Sequence, residues 1–244
     1  MTTEDLVGGA TLLRGRIVNL RKTRCRRDFV FTSSDRTKMG ATAIAAGLTG
    51  LGGVAAGLGA MAMDTNEEAD LLEFEIDGVP VKAWVWISVF DEGDEVEVVA
   101  ERTGGSWVGY GIRRTHDRIV ALHPHCSRGR LAHYRAAARW WFKLTAALLL
   151  FLYALIAFLA WLQSMNNWTG LAQAAALGGI GLASIFGVIA YRISKRFLGF
   201  VRLAEGIFQV FGWPDVKNID LPALTKKDKK PGDPGGLGIL FFRY

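Results

Sequence analysis

Leu144–Leu162 reads LTAALLLFLYALIAFLAWL, and Leu171–Tyr191 reads LAQAAALGGIGLASIFGVIAY. Neither run carries a formal charge. At 1.5 Å per helical residue each covers roughly 30 Å, the thickness of a bilayer core. The short polar link Gln163–Gly170 between them makes the pair a helical hairpin. The soluble alternative is a pair of buried core helices, but apolar runs near twenty residues are rare in soluble cores.

Working outward, the flanks fit the hairpin. Arg128, Arg130, Arg135, Arg139 and Lys143 precede the first run, with Trp140 and Trp141 where an interfacial aromatic belt belongs. Arg192, Lys195, Arg196 and Arg202 follow the second run. The link has no charge, so the positive-inside rule predicts both chain ends in the cytoplasm and the link outside. Residues 197–213, FLGFVRLAEGIFQVFGW, read as an amphipathic helix lying on the membrane surface. The segment 214–244, rich in Lys, Pro, Gly and Asp, reads as a flexible basic tail whose last residues, GILFFRY, turn apolar.

Upstream lies the clearest soluble unit, residues 64–127. LLEFEIDGVPVKAWVWISVF holds two strands around Asp77-Gly78, a strong hairpin signal. EVEVVAE alternates strictly, and SWVGYGIRR and DRIVAL follow turn residues. About five short strands predict a small β-barrel of the OB or SH3-like kind. Val96, Val98, Trp84 and Trp86 are expected in its core or on one sheet face. The strand near residues 11–20, within the N-terminal stretch 1–39, completes it, and Gly15 marks a candidate bulge.

Residues 40–63, GATAIAAGLTGLGGVAAGLGAMAM, then become an insertion in the barrel's first connection. The stretch is uncharged, and Ala45, Thr49, Gly53 and Gly57 stand four apart. That is a small-residue face of the glycine-zipper kind, which lets helices approach closely in lipid. A spanning or insertable helix and a connector packed on the hairpin are both open. A resting-state span would put the first strand and the barrel on opposite sides of the membrane. No GK[ST] follows the glycines, so a phosphate loop is not indicated. The fold class expected is therefore an α+β membrane protein: a small OB/SH3-like β-barrel (1–39 and 64–127) with a Gly-rich helical insertion (40–63), then a transmembrane hairpin (128–196, spans 144–162 and 171–191).

Charge is blocked rather than striped. Net charge is +6, yet residues 64–102 carry thirteen acids against two bases, and residues 103–143 carry eight bases against one acid. The acidic block within the barrel opposes phosphate binding, so nucleic acid is not an expected partner. The lipid bilayer is, together with a protein partner or a second copy. Glu92, Asp94, Glu95 and Glu97 read as a solvated acidic face. The two cysteines, Cys25 and Cys126, form no framework and no CxxC. The start, MTTEDLVGG, lacks a basic region followed by an apolar core, so no cleavable signal is expected.

Catalytic motifs are few. There is no GxSxG, HExxH or P-loop pattern, so neither an enzyme nor a cofactor is expected. His123, His125 and Cys126 are the best candidates for metal ligands, but their spacing matches no structural zinc pattern. A loop leaving the barrel toward the membrane is the plainer reading.

Three stretches carry a family likeness: DFVFTSSDRTKMGATAIAAGL from Asp28, VPVKAWVWISVFDEGDEVEVVAE from Val79 and DRIVALHPHCSRGRLAHYR from Asp117. They resemble bacterial proteins described as type VI secretion system effectors or effector-associated membrane proteins. The resemblance implies a Gram-negative inner-membrane setting and supplies no catalytic residues. Two functions follow as expectations. One is an effector that inserts and permeabilises a target membrane. The other is a resident, membrane-anchored scaffold or interaction module without catalytic activity.

Overall fold

The computed structural model describes residues 10–27, 67–103, 105–164 and 167–244. Its first strand, β1 (Thr11–Arg27), is long and serves two partners. Thr11 to Arg16 pair with β4 (Glu95–Thr103), and Ile17 to Arg27 pair with β2 (Glu67–Ile76). A strand can turn between two sheets where a bulge breaks its ladder. The irregularity falls between Val18 and Arg21, with Asn19 at φ 56°. The Glu92 carboxylate accepts from the freed N–H groups of Asn19 and Leu20 at 2.7 and 2.8 Å. The bulge is therefore not at Gly15. Gly15 instead permits close approach, since a Cβ there would sit 2.6 Å from Ile76 Cγ2.

The hairpin from β2 to β3 (Val79–Val85) turns at Asp77-Gly78, both at positive φ, as the sequence predicts. β3 then runs parallel to β5 (Ser106–Arg114), and β5 pairs with β4. The order β1-β2-β3-β5-β4 returns to β1 and closes a five-stranded barrel. β6 (Ile119–Leu122) extends the sheet from the far half of β5.

Alternation decides the core. Leu72, Phe74 and Ile76 point inward from β2, Val81, Ala83 and Val85 from β3, and Val96, Val98 and Ala100 from β4. The valine assignment holds. The tryptophan assignment does not: Trp84 and Trp86 have the opposite parity to Val81, Ala83 and Val85 and are only half-buried. Successive side chains on a strand take opposite faces, and the smaller residues took the interior.

A second core lies outside the barrel, and it overturns two expectations. Helix α3 (Leu198–Val210) does not present its apolar stripe to solvent or lipid. Val201, Ala204, Ile207, Phe208 and Phe211 are buried, most of them against Val99, Val120, Leu122 and Cys126. Gly111 makes room, because a Cβ there would meet Ile207 Cγ2 and Leu122 Cδ2 at 2.9 Å. Full burial of a side chain such as Phe208 stabilises by about 1.5–3 kcal/mol. The tail 214–244 is likewise folded down. It forms α4 (Leu221–Asp228) and a short strand β7 (Phe242–Arg243) on β6. Leu221, Leu237, Phe241 and Phe242 are buried, so its apolar residues found a sheet edge and outweighed its polar composition.

Two long helices complete the described residues. α1 (Arg130–Leu162) and α2 (Trp168–Arg196) are long and apolar enough to cross a membrane. Only 11% and 6% of their most apolar windows are buried, so they are not the core of the described fold. The Asn167 side chain accepts from Gly170 N–H at 3.0 Å and caps α2.

Candidate functional site

The place where the barrel meets the helices is built from the start of α1. A helix N-terminus leaves N–H groups without internal partners. Here the Glu205 carboxylate of α3 accepts from Arg130 N–H at 2.8 Å, and the Lys217 carbonyl accepts from Leu131 N–H at 2.9 Å and Ala132 N–H at 3.2 Å. Gly129 permits this approach, since a Cβ would lie 2.0 Å from the Val216 carbonyl oxygen. The basic residues before the first apolar run join the same clamp. Arg128 Nε donates to Asp220 at 2.9 Å, Arg135 to Asn218 at 2.6 Å, and Arg139 lies 3.5 Å from Asp220. Sequence reasoning took these arginines as membrane flanks only. It missed Glu205, Asp220 and Gly129, whose partners lie seventy to ninety residues away in the chain.

Above the clamp, both helices carry a ring of aromatic and basic residues. Trp140 is exposed, with Lys143 Nζ 5.9 Å from its ring centre. Lys195 Nζ lies 5.2 Å from the Tyr191 ring, and Arg192 and Arg196 are exposed. Trp141 turns inward between the helices, and its indole N–H is buried with no acceptor among the described residues. It lines an apolar groove of about 500 Å³ between α1 and α2, with Leu144, Leu148, Phe186 and Ile189. His133 and Ser194 bond to each other at its barrel end, at 2.9 Å. Further along, Tyr153 lies over Gly179, where a Cβ would come within 1.8 Å of its hydroxyl, and donates to the Ala175 carbonyl at 3.1 Å. Ala175 and Gly179 are small residues four apart, a signal present in the sequence but overlooked in this helix.

The three candidate metal ligands are not brought together. Cys126 is buried in the second core, and burial pushes its thiol up, so it stays protonated. His123 lies with its Nδ1 3.2 Å from the Pro124 carbonyl and its ring stacked on Phe200. His125 Nε2 is 2.8 Å from Glu67 Oε2, and its ring sits among Trp86, Phe197 and Phe200 at 5.1–5.4 Å. Among the described residues no three His, Cys, Asp or Glu side chains are placed to hold a metal ion.

The acidic group is not simply a solvated face. Glu92 holds the bulge, Asp94 pairs with Arg114, and Glu97 pairs with Arg14 and Arg113. Glu95, paired with Arg16, and Glu92 are the exposed members. Burial pushes the Asp117 carboxyl up, but its hydrogen bonds from Arg114 and from Ile119 N–H prevail and hold it below the usual range. Ala45, Thr49, Gly53 and Gly57 lie outside the described residues. The described residues on either side, Arg27 and Glu67, are register partners of β1 and β2, and Glu67 is bonded to His125. Comparison with known protein families, with curated proteins and with solved structures finds no match to this chain.

Proposed function

We propose that this chain is a resident, multi-pass bacterial inner-membrane protein. Its hairpin is the anchor, and its barrel is an OB-type interaction module held at the cytoplasmic surface. The observation that carries the reading is the continuity of α1. One helix runs from a clamp on the barrel side, through the Trp140–Lys143 ring, into the exposed apolar run. A helix exposing Leu150, Phe151 and Phe158 needs an apolar solvent, and lipid provides one. The strand order with β3 parallel to β5 supports the OB-type assignment. The basic ring supports the cytoplasmic placement of both chain ends. The barrel's partner is a protein or a second copy of the chain, and no catalytic step is assigned.

The test is extraction and topology together. The full chain is expected to resist alkaline carbonate and need detergent for release. Reporter fusions after Tyr244 should read cytoplasmic, and fusions within the link at Ser164 should read external. Release by carbonate, or a cytoplasmic signal from the link, would overturn the proposal.

A second reading, a membrane-permeabilising type VI effector, is favoured by one specific observation. Arg27 and Glu67, the described residues that flank the Gly-rich segment in sequence, are register partners, and Glu67 is bonded to His125, whose ring meets Phe197 at the junction of α2 and α3. It requires the purified protein to release dye from loaded vesicles, whereas the anchored scaffold leaves them intact.

A further inference from the structure

The groove between α1 and α2 has an apolar floor and a basic rim. Leu144, Leu148, Phe186, Ile189 and Ile193 are among its lining residues, and its volume of about 500 Å³ is far more than a single water needs. No Lys, Arg, Asp or Glu lines it. The cations stand at its edges. Lys143 Nζ lies 5.9 Å from the ring centre of Trp140, which lines the groove from α1. On α2, Arg192 and Arg196 each follow a lining residue, Ile189 and Ile193, by three positions and so neighbour it on the helix surface. We infer that the groove binds one anionic phospholipid, with an acyl chain along its floor and the phosphate at the rim of Lys143, Arg192 and Arg196. The inference rests on the anchored-hairpin reading, which puts this rim among the headgroups of the cytoplasmic leaflet.

Three observations select this occupant. The first is charge. No Asp or Glu occurs between Leu131 and Ala204, so neither helix answers its own basic rim. The acids of the clamp, Glu205 and Asp220, already bond Arg130 and Arg128. A basic site between helices at the cytoplasmic surface suits an anionic headgroup.

The second is polarity along the groove. The hydrogen-bonded pair His133 and Ser194 lies at its barrel end. Leu144, Leu148 and Phe186 lie toward its other end, within the uncharged runs Leu144–Leu162 and Leu171–Tyr191. The occupant is therefore polar at one end and apolar at the other, and its polar end faces the barrel. A phospholipid of the cytoplasmic leaflet has that order and that orientation. The third is the exclusion of rivals. A second copy docked by a two-fold axis would bring its own Lys143, Arg192 and Arg196 against these, and like charges oppose that contact. A free phosphate would leave the apolar floor uncovered.

The test uses the full chain in nanodiscs of equal parts phosphatidylglycerol and phosphatidylcholine, released into native mass spectrometry. One phosphatidylglycerol per chain is expected to be retained, several-fold over phosphatidylcholine. Lys143→Gln combined with Arg192→Gln should bring the two lipids toward parity while the barrel melts as before. Ile189→Trp should instead lower the retention of both. A phosphatidylglycerol with a diazirine on its acyl chain locates the site without any substitution, and its adducts are expected on Leu148, Phe186 and Ile189. Equal retention of the two lipids by the unmodified chain, or adducts spread over the exposed Leu150 and Leu177, would overturn the site. A dimer without retained lipid would overturn it as well. Carbonate extraction separates this inference from the one beneath it. A protein that carbonate releases defeats the anchor and the site together, whereas a carbonate-resistant protein with scattered adducts defeats the site alone.

Discussion

Val98 and Leu150 are both aliphatic, yet Val98 is 0% exposed and Leu150 is 73% exposed. The barrel and the hairpin use the same kind of side chain in opposite directions. In β4, Val96 and Val98 alternate with Glu95 and Glu97, so one face can be hidden while the other meets water. Along Leu144–Leu162 every face is apolar, and no rotation of the helix hides it. The barrel therefore carries its own inside. The hairpin depends on its surroundings for one, and predictions about either region should separate in experiment.

The sharpest separation comes from placing a charge in each. Val98→Asp buries a carboxylate among Ile17, Phe74 and Ile112 without a partner and should cost about 5 kcal/mol or more, enough to unfold the barrel. Leu150→Asp should leave the barrel's melting in detergent unchanged and weaken membrane retention instead. If both changes lowered the barrel's melting equally, the two regions would be one cooperative core.

The next test concerns α3, which borders both regions. Phe208→Ala removes a fully buried ring from the second core and should cost about 3–4 kcal/mol, read by thermal melting in detergent. A helix lying on lipid would give almost no change. Within the hairpin, Gly179→Leu drives a side chain into Tyr153 and should cost about 2 kcal/mol by splaying α1 from α2. Spin labels on the two helices should then move apart while the barrel melts normally.

Much of this division was legible in the sequence. Asp77-Gly78 marked its hairpin, the valines of β4 marked their face, and the apolar runs marked α1 and α2. What stayed hidden was the counterpart of each apolar stripe. FLGFVRLAEGIFQVFGW would suit lipid and protein equally, and only Gly111, Val99 and Leu122 of the folded barrel decide for protein. Arg128 and Arg139 looked like membrane flanks because Asp220, their partner, is far along the chain. Residues 84 and 86 show the limit of alternation, which gives two faces without saying which is inner.

Acid should weaken the barrel's Arg114 cluster. Asp117 ionises below the ordinary aspartate range, so its stabilising effect is fully present above about pH 4 and is lost as pH falls through its lowered value. Asp94 and Asp117 both hold Arg114, whose side chain is 15% exposed. Asp117→Asn should cost about 1.5 kcal/mol at pH 7 and flatten the decline of melting temperature below pH 4. An unchanged acid profile in the variant would remove this pair from the barrel's stability.

The smallest effect tests whether the tail belongs to the barrel. Thr225 is fully buried in α4, and its hydroxyl donates to the Leu221 carbonyl at 2.8 Å. The same oxygen accepts from Arg243 N–H of β7 at 3.0 Å, tying the helix to the strand that edges β6. Thr225→Val keeps the shape, removes both bonds and leaves the Arg243 N–H without its acceptor. A net hydrogen bond contributes about 1 kcal/mol, so the global loss should be about that size. The local signature is more telling. Amide exchange at Phe242 and Arg243 should quicken well beyond the change at Val98, because opening the tail exposes those amides without unfolding the barrel. If the tail were a loose appendage, those amides would already exchange freely in the unmodified protein, and Thr225→Val would alter nothing. A docked tail makes the barrel's second core continuous from α3 through α4 to β7, while the hairpin's apolar faces stay outside it.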